Sequence, residues 1–199
     1  MAKEPAYIRA LREYANDWMT SLDFPAHQDE LWSASDRAFA LLHSINVENA
    51  LHRLFEAKLR QGLNSTDRKR LYGSEGILSN FSSKIALAYA LELIGPVTRD
   101  DLNLIRFIRN TFAHSRRPLS FDLQVVGDAC AHLQFPDRPH GYKFLGPGGR
   151  EADGDHADLT NAKTRYRLTC QRIEMGISNL LHPPPDIVLK EGWLDEPLV

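Results

Sequence analysis

The segment from Ser35 to Leu63 constrains the fold of this chain more than any other. Its apolar side chains recur at helical spacing and point around most of the helix circumference. A helix that is apolar on nearly every side lies inside a bundle, because no face of it suits water. Ser35 is a suitable N-cap with Asp36 in the first turn, and Gly62 and Asn64 mark the predicted end.

Helical periodicity extends over most of the remaining chain, with apolar residues at spacings of three and four. Further helices are predicted at Pro5–Met19, Leu78–Ile94, Thr98–His114, Ser120–Leu133 and Asp158–Leu181. Gly95 and Pro96 are expected to end the Leu78–Ile94 helix. Asp101 follows Thr98 at the spacing of a capping box. The chain is therefore predicted to be all-α, a single bundle of about five or six helices.

Several segments lack this periodicity. Ser21–Ser33 and Asn64–Gly76 are predicted connectors, the second with a solvated turn at Arg68–Arg70. Residues 136–158 are rich in proline and glycine and are predicted to be irregular, with room for a small hairpin around Tyr142–Leu145. The tail 183–199 begins with consecutive prolines and is expected to lie extended.

Length and composition describe one ordinary globular domain. The chain has 199 residues, enough for one core, so residues 1–199 are predicted to form a single domain. Hydrophobic residues make up 43% and charged residues 25%, which is typical of folded proteins. The formal net charge of −2 argues against a protein that coats nucleic acid through bulk charge, and leaves a local basic patch open.

The expected location is the cytoplasm. Cys130 and Cys170 fall in helical patterns and do not form a CxxC pair, so they are predicted to be buried free thiols in a reducing compartment. The first residues lack the basic and apolar regions of a signal peptide, and no window of about 18 apolar residues exists. We therefore expect no membrane partner.

The Thr98–His114 helix carries the candidate site. On a helical wheel, one arc is apolar and is predicted to face the core: Leu104, Ile105, Ile108 and Phe112. The opposite arc is polar and holds Asn103, Arg106, Asn110 and His114, with Phe107 beside them. Arg109 lies at the border between the arcs, and Arg116 follows the helix. We call the polar set the basic stripe: Asn103, Arg106, Arg109, Asn110, His114 and Arg116.

The basic stripe differs from an ordinary solvated helix face, which mixes glutamate and lysine. No acidic residue lies between Leu102 and His114. Arginine presents a forked set of donors, so this composition suits an anion and phosphate in particular. The alternative is that Arg109 and His114 pair with acids on neighbouring helices, such as Glu48 or Glu92.

A longer stretch carries a resemblance to a known family. The residues GILSNFSSKIALAYALELIG (76–95) and DDLNLIRFIRNTFAH (100–114) resemble the mannitol operon repressor family. The helix that begins DRAFALL at Asp36 fits the same family, and the resemblance covers roughly residues 30–135. It implies an all-helical transcriptional regulator that acts through protein partners. We also expect a homodimer. Direct sequence-specific DNA binding is not expected, because no helix-turn-helix is recognisable.

A second resemblance lies within the first. Arg109 and His114, with Asn110 after the arginine, are similar to the arginine, four residues, histidine signature of HEPN domains. In HEPN ribonucleases a dimer brings two copies of this motif together. The resemblance implies RNA cleavage without a metal, with His114 acting on the 2′-hydroxyl, Arg109 stabilising phosphate charge and Asn110 orienting the groups.

No metal or cofactor is predicted. Glu48 and His52 stand four residues apart, but no second pair at ligand spacing accompanies them, so hydrogen bonds between helices are preferred. Three hypotheses remain open: a regulator that binds a protein partner, a HEPN-type ribonuclease that binds RNA, and a helical scaffold without either activity.

Overall fold

The computed structural model describes residues 5–8, 10–11, 24–59, 61–137, 144–145, 151–152 and 157–182. It confirms the all-α class. Seven α-helices have defined bounds within the described residues: α1 (Phe24–Ser33), α2 (Asp36–Lys58), α3 (Ser65–Tyr72), α4 (Phe81–Ala90), α5 (Pro96–His114), α6 (Gln124–Ala131) and α7 (Ala162–Leu181). With the helical residues 6–8 and 10–11, the helices slightly exceed the predicted five or six.

Two small elements lie between α6 and α7. A 3₁₀ helix spans Phe135–Asp137, and two short strands follow, β1 (Phe144–Leu145) and β2 (Glu151–Ala152). The strands pair antiparallel, with Phe144 opposite Ala152. Strand β1 falls within the segment where the sequence left room for a hairpin, while Tyr142 lies outside the described residues. Residues 138–143, 146–150 and 153–156, and the tail 183–199, lie outside the described residues.

Helix α2 is central, since it packs against α1, α4, α5 and α7. Ser35 caps it as predicted, accepting a hydrogen bond of 3.3 Å from the Ala38 amide. One broad face is buried: Phe39, Ala40, His43, Ser44, Val47, Ala50, Leu51, Leu54 and Phe55. Ile45 is 40% exposed, so the prediction of burial on nearly every side was wrong. The helix ends at Lys58 rather than Leu63.

An aromatic cluster joins three helices to the loop before α6. The Phe121 ring lies 5.7 Å from that of Phe39, 5.0 Å from Phe112 and 5.4 Å from Tyr166, between centroids. The Tyr166 hydroxyl donates a 2.9 Å hydrogen bond to the Ala40 carbonyl, so its polar end is satisfied inside the core. Cys130 and Cys170 are buried free thiols, as predicted.

Both predicted connectors contain helices. Ser21–Ser33 holds α1, and Asn64–Gly76 holds α3. Asn64, taken as a stop for the preceding helix, instead starts α3, because its side chain accepts a 2.9 Å hydrogen bond from the Asp67 amide. Of the predicted Pro5–Met19 helix, residues 6–8 and 10–11 are helical and 12–19 lie outside the described residues.

The limits of α4 and α5 differ from the prediction. Helix α4 begins only at Phe81, after Asn80 caps the Ser83 amide at 2.9 Å. It ends at Ala90, before Glu92 adopts a left-handed backbone with φ of 56°. Pro96, expected to end α4, lies in the first turn of α5, where its missing amide costs nothing.

The later helices are shorter than expected. Helix α6 covers Gln124–Ala131 rather than Ser120–Leu133. Helix α7 begins at Ala162 rather than Asp158, because Asn161 caps it by accepting a 2.9 Å hydrogen bond from the Thr164 amide. Among the described residues, no helix is both long and apolar enough to cross a membrane.

Asp101 does not form the predicted capping box. Its buried carboxylate accepts hydrogen bonds from the amides of Gln134 at 2.9 Å and Phe135 at 2.7 Å. Arg165 of α7 donates to the Leu133 carbonyl at 3.0 Å on the other side of the same segment. Burial raises the pKa of Asp101 to about 6, although the two amides and Arg165 oppose the rise. Asp101 therefore ties the segment after α6 to α5.

We predict that Asp101→Asn changes the pH dependence of stability. The pKa of Asp101 is higher in the folded than in the unfolded state, so the folded state favours the protonated carboxyl. The stability that protonated Asp101 contributes is complete below about pH 4 and is lost as the pH rises through 6. The unfolding free energy of the parent should therefore fall, relative to the variant, by up to about 3 kcal/mol between pH 4 and 7. Urea unfolding at both pH values measures this change. Exposed Asp100→Asn is the control, and a parent-to-variant difference that stays flat with pH would refute the prediction.

Candidate functional site

Helix α5 is strongly amphipathic in the structure. Ile105, Ile108 and Phe112 are buried, while Leu104, predicted to face the core, is only half-buried. On the polar side the helix half-buries Asn103, Arg106 and Asn110 and exposes His114. The first turn has no acidic residue, and Thr98, Asp101 and Leu102 add to the buried face. Apart from Arg109, the helical residues of the basic stripe thus lie along the outer side of α5, which the core holds in place.

The middle of the stripe centres on an exposed aromatic ring. Phe107 is 58% exposed, and the Arg106 guanidinium carbon lies 4.5 Å from its ring centroid. Such a cation–π contact orients the arginine along the helix surface. Asn103 donates to the Arg99 carbonyl one turn earlier, at 3.0 Å. Half-buried Arg106 and exposed Phe107 therefore pack together on the outer face of α5.

Arg109 has turned to the opposite side, towards α2. One of its guanidinium nitrogens lies 3.9 Å from Glu48 Oε2, while Glu48 Oε1 accepts a 2.7 Å hydrogen bond from Lys84 Nζ of α4. We call Glu48, Lys84 and Arg109 the charge junction. The pairing of Arg109 with Glu48 is the alternative that the sequence left open. Arg109 thus contacts α2, whereas His114 is exposed at the end of α5.

The C-terminal end of α5 forms a second basic region. Arg37 of α2 donates to the carbonyls of Ala113 at 3.4 Å, Ser115 at 3.1 Å and Arg117 at 3.4 Å. These carbonyls lack helical partners, so the guanidinium satisfies them and offsets the negative end of the helix dipole. Arg116 is exposed beside them. Sequence reasoning missed Arg37, because its partners are about eighty residues away.

Asp36 completes this end of the bundle. Its carboxylate accepts hydrogen bonds from Lys163 Nζ at 2.8 Å and from the Phe121 amide at 2.9 Å. Burial alone would raise the pKa of Asp36, but the bonds from Lys163 and Phe121 outweigh it and lower the pKa. The carboxylate thus stays ionised and neutralises one of the nearby cations.

A groove of about 1160 Å³ lies along α2. Parts of α1, α2 and α3, the start of α4 and the end of α7 line it. We call it the α2 groove. Its charged walls contain Glu48 and Lys84 of the charge junction, and also Arg53, Glu56, Arg68 and Glu174. Polar side chains from five helices, α1, α2, α3, α4 and α7, line this groove.

Glu48 and His52 do not share a ligand position in this groove. His52 lies edge-on to the Tyr72 ring at 4.8 Å between centroids, and its Nε2 is 3.8 Å from Glu56 Oε1. Burial lowers the pKa of His52, which keeps the ring neutral near pH 7. Among the described residues, no group of three histidine, cysteine or acidic side chains is placed to hold a metal ion.

Arg68 was predicted to lie in a solvated turn, and the structure corrects this. Its guanidinium donates to Glu56 Oε1 at 2.7 Å and lies 5.6 Å from the Tyr72 ring centroid. Arg68 remains 56% exposed. The side chain therefore fastens α3 to α2 along the rim of the α2 groove.

His43 is a buried polar residue that the sequence did not single out. It packs edge-on against Phe39 at 4.4 Å between centroids and is 2% exposed. Burial, with the nearby Arg167, His27 and Lys163, lowers its pKa to about 3. His43 is therefore neutral at physiological pH. Its Nε2 accepts and donates no hydrogen bond within the described part of the chain.

Comparisons with known proteins found no relative of this chain. No protein-family model matches the chain, and neither does any curated protein or solved structure. The resemblances to the mannitol operon repressor family and to HEPN domains therefore remain predictions from the residues quoted above.

The charge junction predicts unequal costs for its members. Glu48→Gln should lower the free energy of unfolding by about 2 to 3 kcal/mol, because it leaves two partly buried cations without a counter-charge. Arg109→Ala should cost no more than about 1 kcal/mol, because Arg109 is 32% exposed and Glu48 keeps Lys84. Chemical unfolding of both variants tests this order. A larger loss for Arg109→Ala would show that the junction depends on Arg109 instead.

Proposed function

We propose that this chain is a cytoplasmic regulatory protein of the mannitol operon repressor type, which acts by binding a protein partner through the outer face of α5. The resemblance over residues 76–95 and 100–114 suggests the class of regulator. The surface of α5 suggests where the partner binds. A homodimer is part of the proposal.

The observation that carries this proposal is the exposure of Phe107 within the basic stripe. Single exposed apolar side chains are common and need no explanation. Phe107, however, is an aromatic ring that is 58% exposed and lies under an arginine. Aromatic residues and arginine are the types most enriched at protein interfaces and most often dominate their binding energy.

Charge indicates the chemistry of the partner. The outer face of α5 carries Arg106 and His114 with no acid after Asp101, and exposed Arg116 and Arg117 continue it. An acidic surface with an apolar pocket for Phe107 would complement this face, and the opposite charges would speed the encounter. The favoured partner is therefore an acidic protein surface.

The ribonuclease remains the second candidate, because Asn110 and His114 both reach solvent. Its weakness lies in Arg109, which faces Glu48 at 3.9 Å on the α2 side. A phosphate-stabilising role would require this guanidinium beside His114 instead. RNA would otherwise have to displace Glu48 or meet Arg109 of a second copy. For this reason the structure supports partner binding better than RNA cleavage.

The regulatory proposal predicts a transcriptional phenotype that depends on Phe107. Deleting the gene should change transcript levels of a neighbouring operon, and the wild-type chain should restore them. Phe107→Ser should fail to restore them, because it removes the interface aromatic without disturbing the buried face of α5. RNA sequencing of the strains measures this.

Val125→Ser is the matched control, because Val125 is an apolar side chain that is 69% exposed on a different helix, α6. It should restore transcript levels like the parent. No transcript change on deletion, or full rescue by Phe107→Ser at equal protein level, would exclude the proposal.

A direct cleavage assay separates the two functions. Purified protein incubated with single-stranded RNA and a chelator should leave the RNA intact if partner binding is the activity. Should RNA be cut, and His114→Ala abolish the cutting while Arg70→Ala does not, the ribonuclease would replace the regulator as the conclusion. Arg70 suits the control because it is 77% exposed on α3.

A further inference from the structure

The charge junction holds more positive than negative charge. Lys84 and Arg109 both pair with the single carboxylate of Glu48, at nitrogen–oxygen distances of 2.7 Å and 3.9 Å. The side chains of Lys84, Glu48 and Arg109 are only 9%, 17% and 32% exposed. A positive charge that water reaches poorly and that protein leaves uncompensated is costly, and an anion nearby relieves the cost.

Lys84 also has donors to spare. An ammonium group carries three N–H donors, and within the described residues Lys84 Nζ makes one hydrogen bond, to Glu48. Lys84 and Ser79 both line the α2 groove. The remaining donors of this nearly buried ammonium are therefore available to a molecule in the groove.

The rest of the groove does not cancel this excess. Arg53 and Arg68 balance Glu56 and Glu174 among the lining residues, and Arg68 is already paired with Glu56. His52 has a lowered pKa and adds no charge near neutral pH. The charged side chains that line the groove therefore balance one another, and the excess positive charge arises because Arg109, which does not line the groove, shares Glu48 with Lys84.

The N-terminus of α4 adds to the positive electrostatic potential at Lys84. Lys84 lies in the first turn of α4, which contains no acidic residue. The positive end of this ten-residue helix dipole thus adds to the charge of the ammonium. Leu42, Ile45 and Leu181 supply an apolar wall along the groove, which suits the body of an organic molecule.

We propose that the α2 groove binds a small organic anion, whose carboxylate or phosphate group contacts Lys84 and Ser79 while its apolar body lies along Leu42, Ile45 and Leu181. Glu48 then keeps Arg109 as its partner, so the anion and Glu48 each neutralise one cation. This site is separate from the outer face of α5 and does not depend on the regulatory proposal.

Phenyl phosphate and benzoate test the site with the full chain at constant ionic strength. In ¹H–¹⁵N spectra, at least one probe should cause saturable shifts of the backbone amides from Ser79 to Lys84. If phenyl phosphate binds more tightly than benzoate, the natural ligand is a phosphate, and the reverse order indicates a carboxylate. Shifts centred on His114, Arg116 and Arg117 would overturn the proposal, as would no saturable shift with either probe.

Lys84→Met tests the anchor, because methionine keeps the side-chain length and removes the charge. It should weaken the better probe by roughly tenfold or more, which is the contribution of one hydrogen bond to a charged group. Arg70→Met is the matched control, since Arg70 does not line the groove, and it should bind like the parent. A folded Lys84→Met protein that binds like the parent would refute the proposal. If Lys84→Met does not fold, two other measurements test the proposal. These are the amide shifts of the parent and the probe affinity of Ser79→Ala, which should be lower than that of the parent.

Discussion

The packing of α2 against α5 and α7 through the Phe121 aromatic cluster is the interaction on which the structure depends. Phe39, Phe112 and Tyr166 come from the three helices, and Phe121 lies among them from the loop before α6. Large aromatic side chains bury the most apolar surface per residue, so their contact fixes the relative positions of the helices. The outer face of α5 and the α2 groove both follow from that arrangement.

Charged side chains hold the segments that the apolar core does not reach. Asp101 and Arg165 both form hydrogen bonds to the backbone of the segment after α6. Arg37 donates hydrogen bonds to the carbonyls at the end of α5. In each case a charged group bonds to backbone that has no helical partner. Because such bonds are stronger than neutral ones, a few of them are enough to order short connections.

The charge junction links the two candidate sites. Glu48 faces the α2 groove and Lys84 on one side, while Arg109 reaches it from the helix that carries the basic stripe. The motif suggested by the sequence is thereby divided: Arg109 belongs to the interior junction, and Asn110 and His114 belong to the surface. The same six residues in the chain serve two different environments, because five positions along a helix turn the side chain by about 140°.

The sequence by itself determined the all-α class, the capped start of α2, the apolar face of α5 and the two buried cysteines. These follow from helical periodicity and local capping chemistry, which depend only on neighbours in the chain. It missed α1 and α3, which it predicted as connectors, because short polar helices have weak periodicity and an asparagine such as Asn64 fits both a stop and a cap. Only the tertiary structure decided that Asp101 ties down a distant loop and that Arg37 closes α5. It alone also paired Arg109 with Glu48 and Lys84, because the packing of the core sets which side chains meet across helices far apart in the chain.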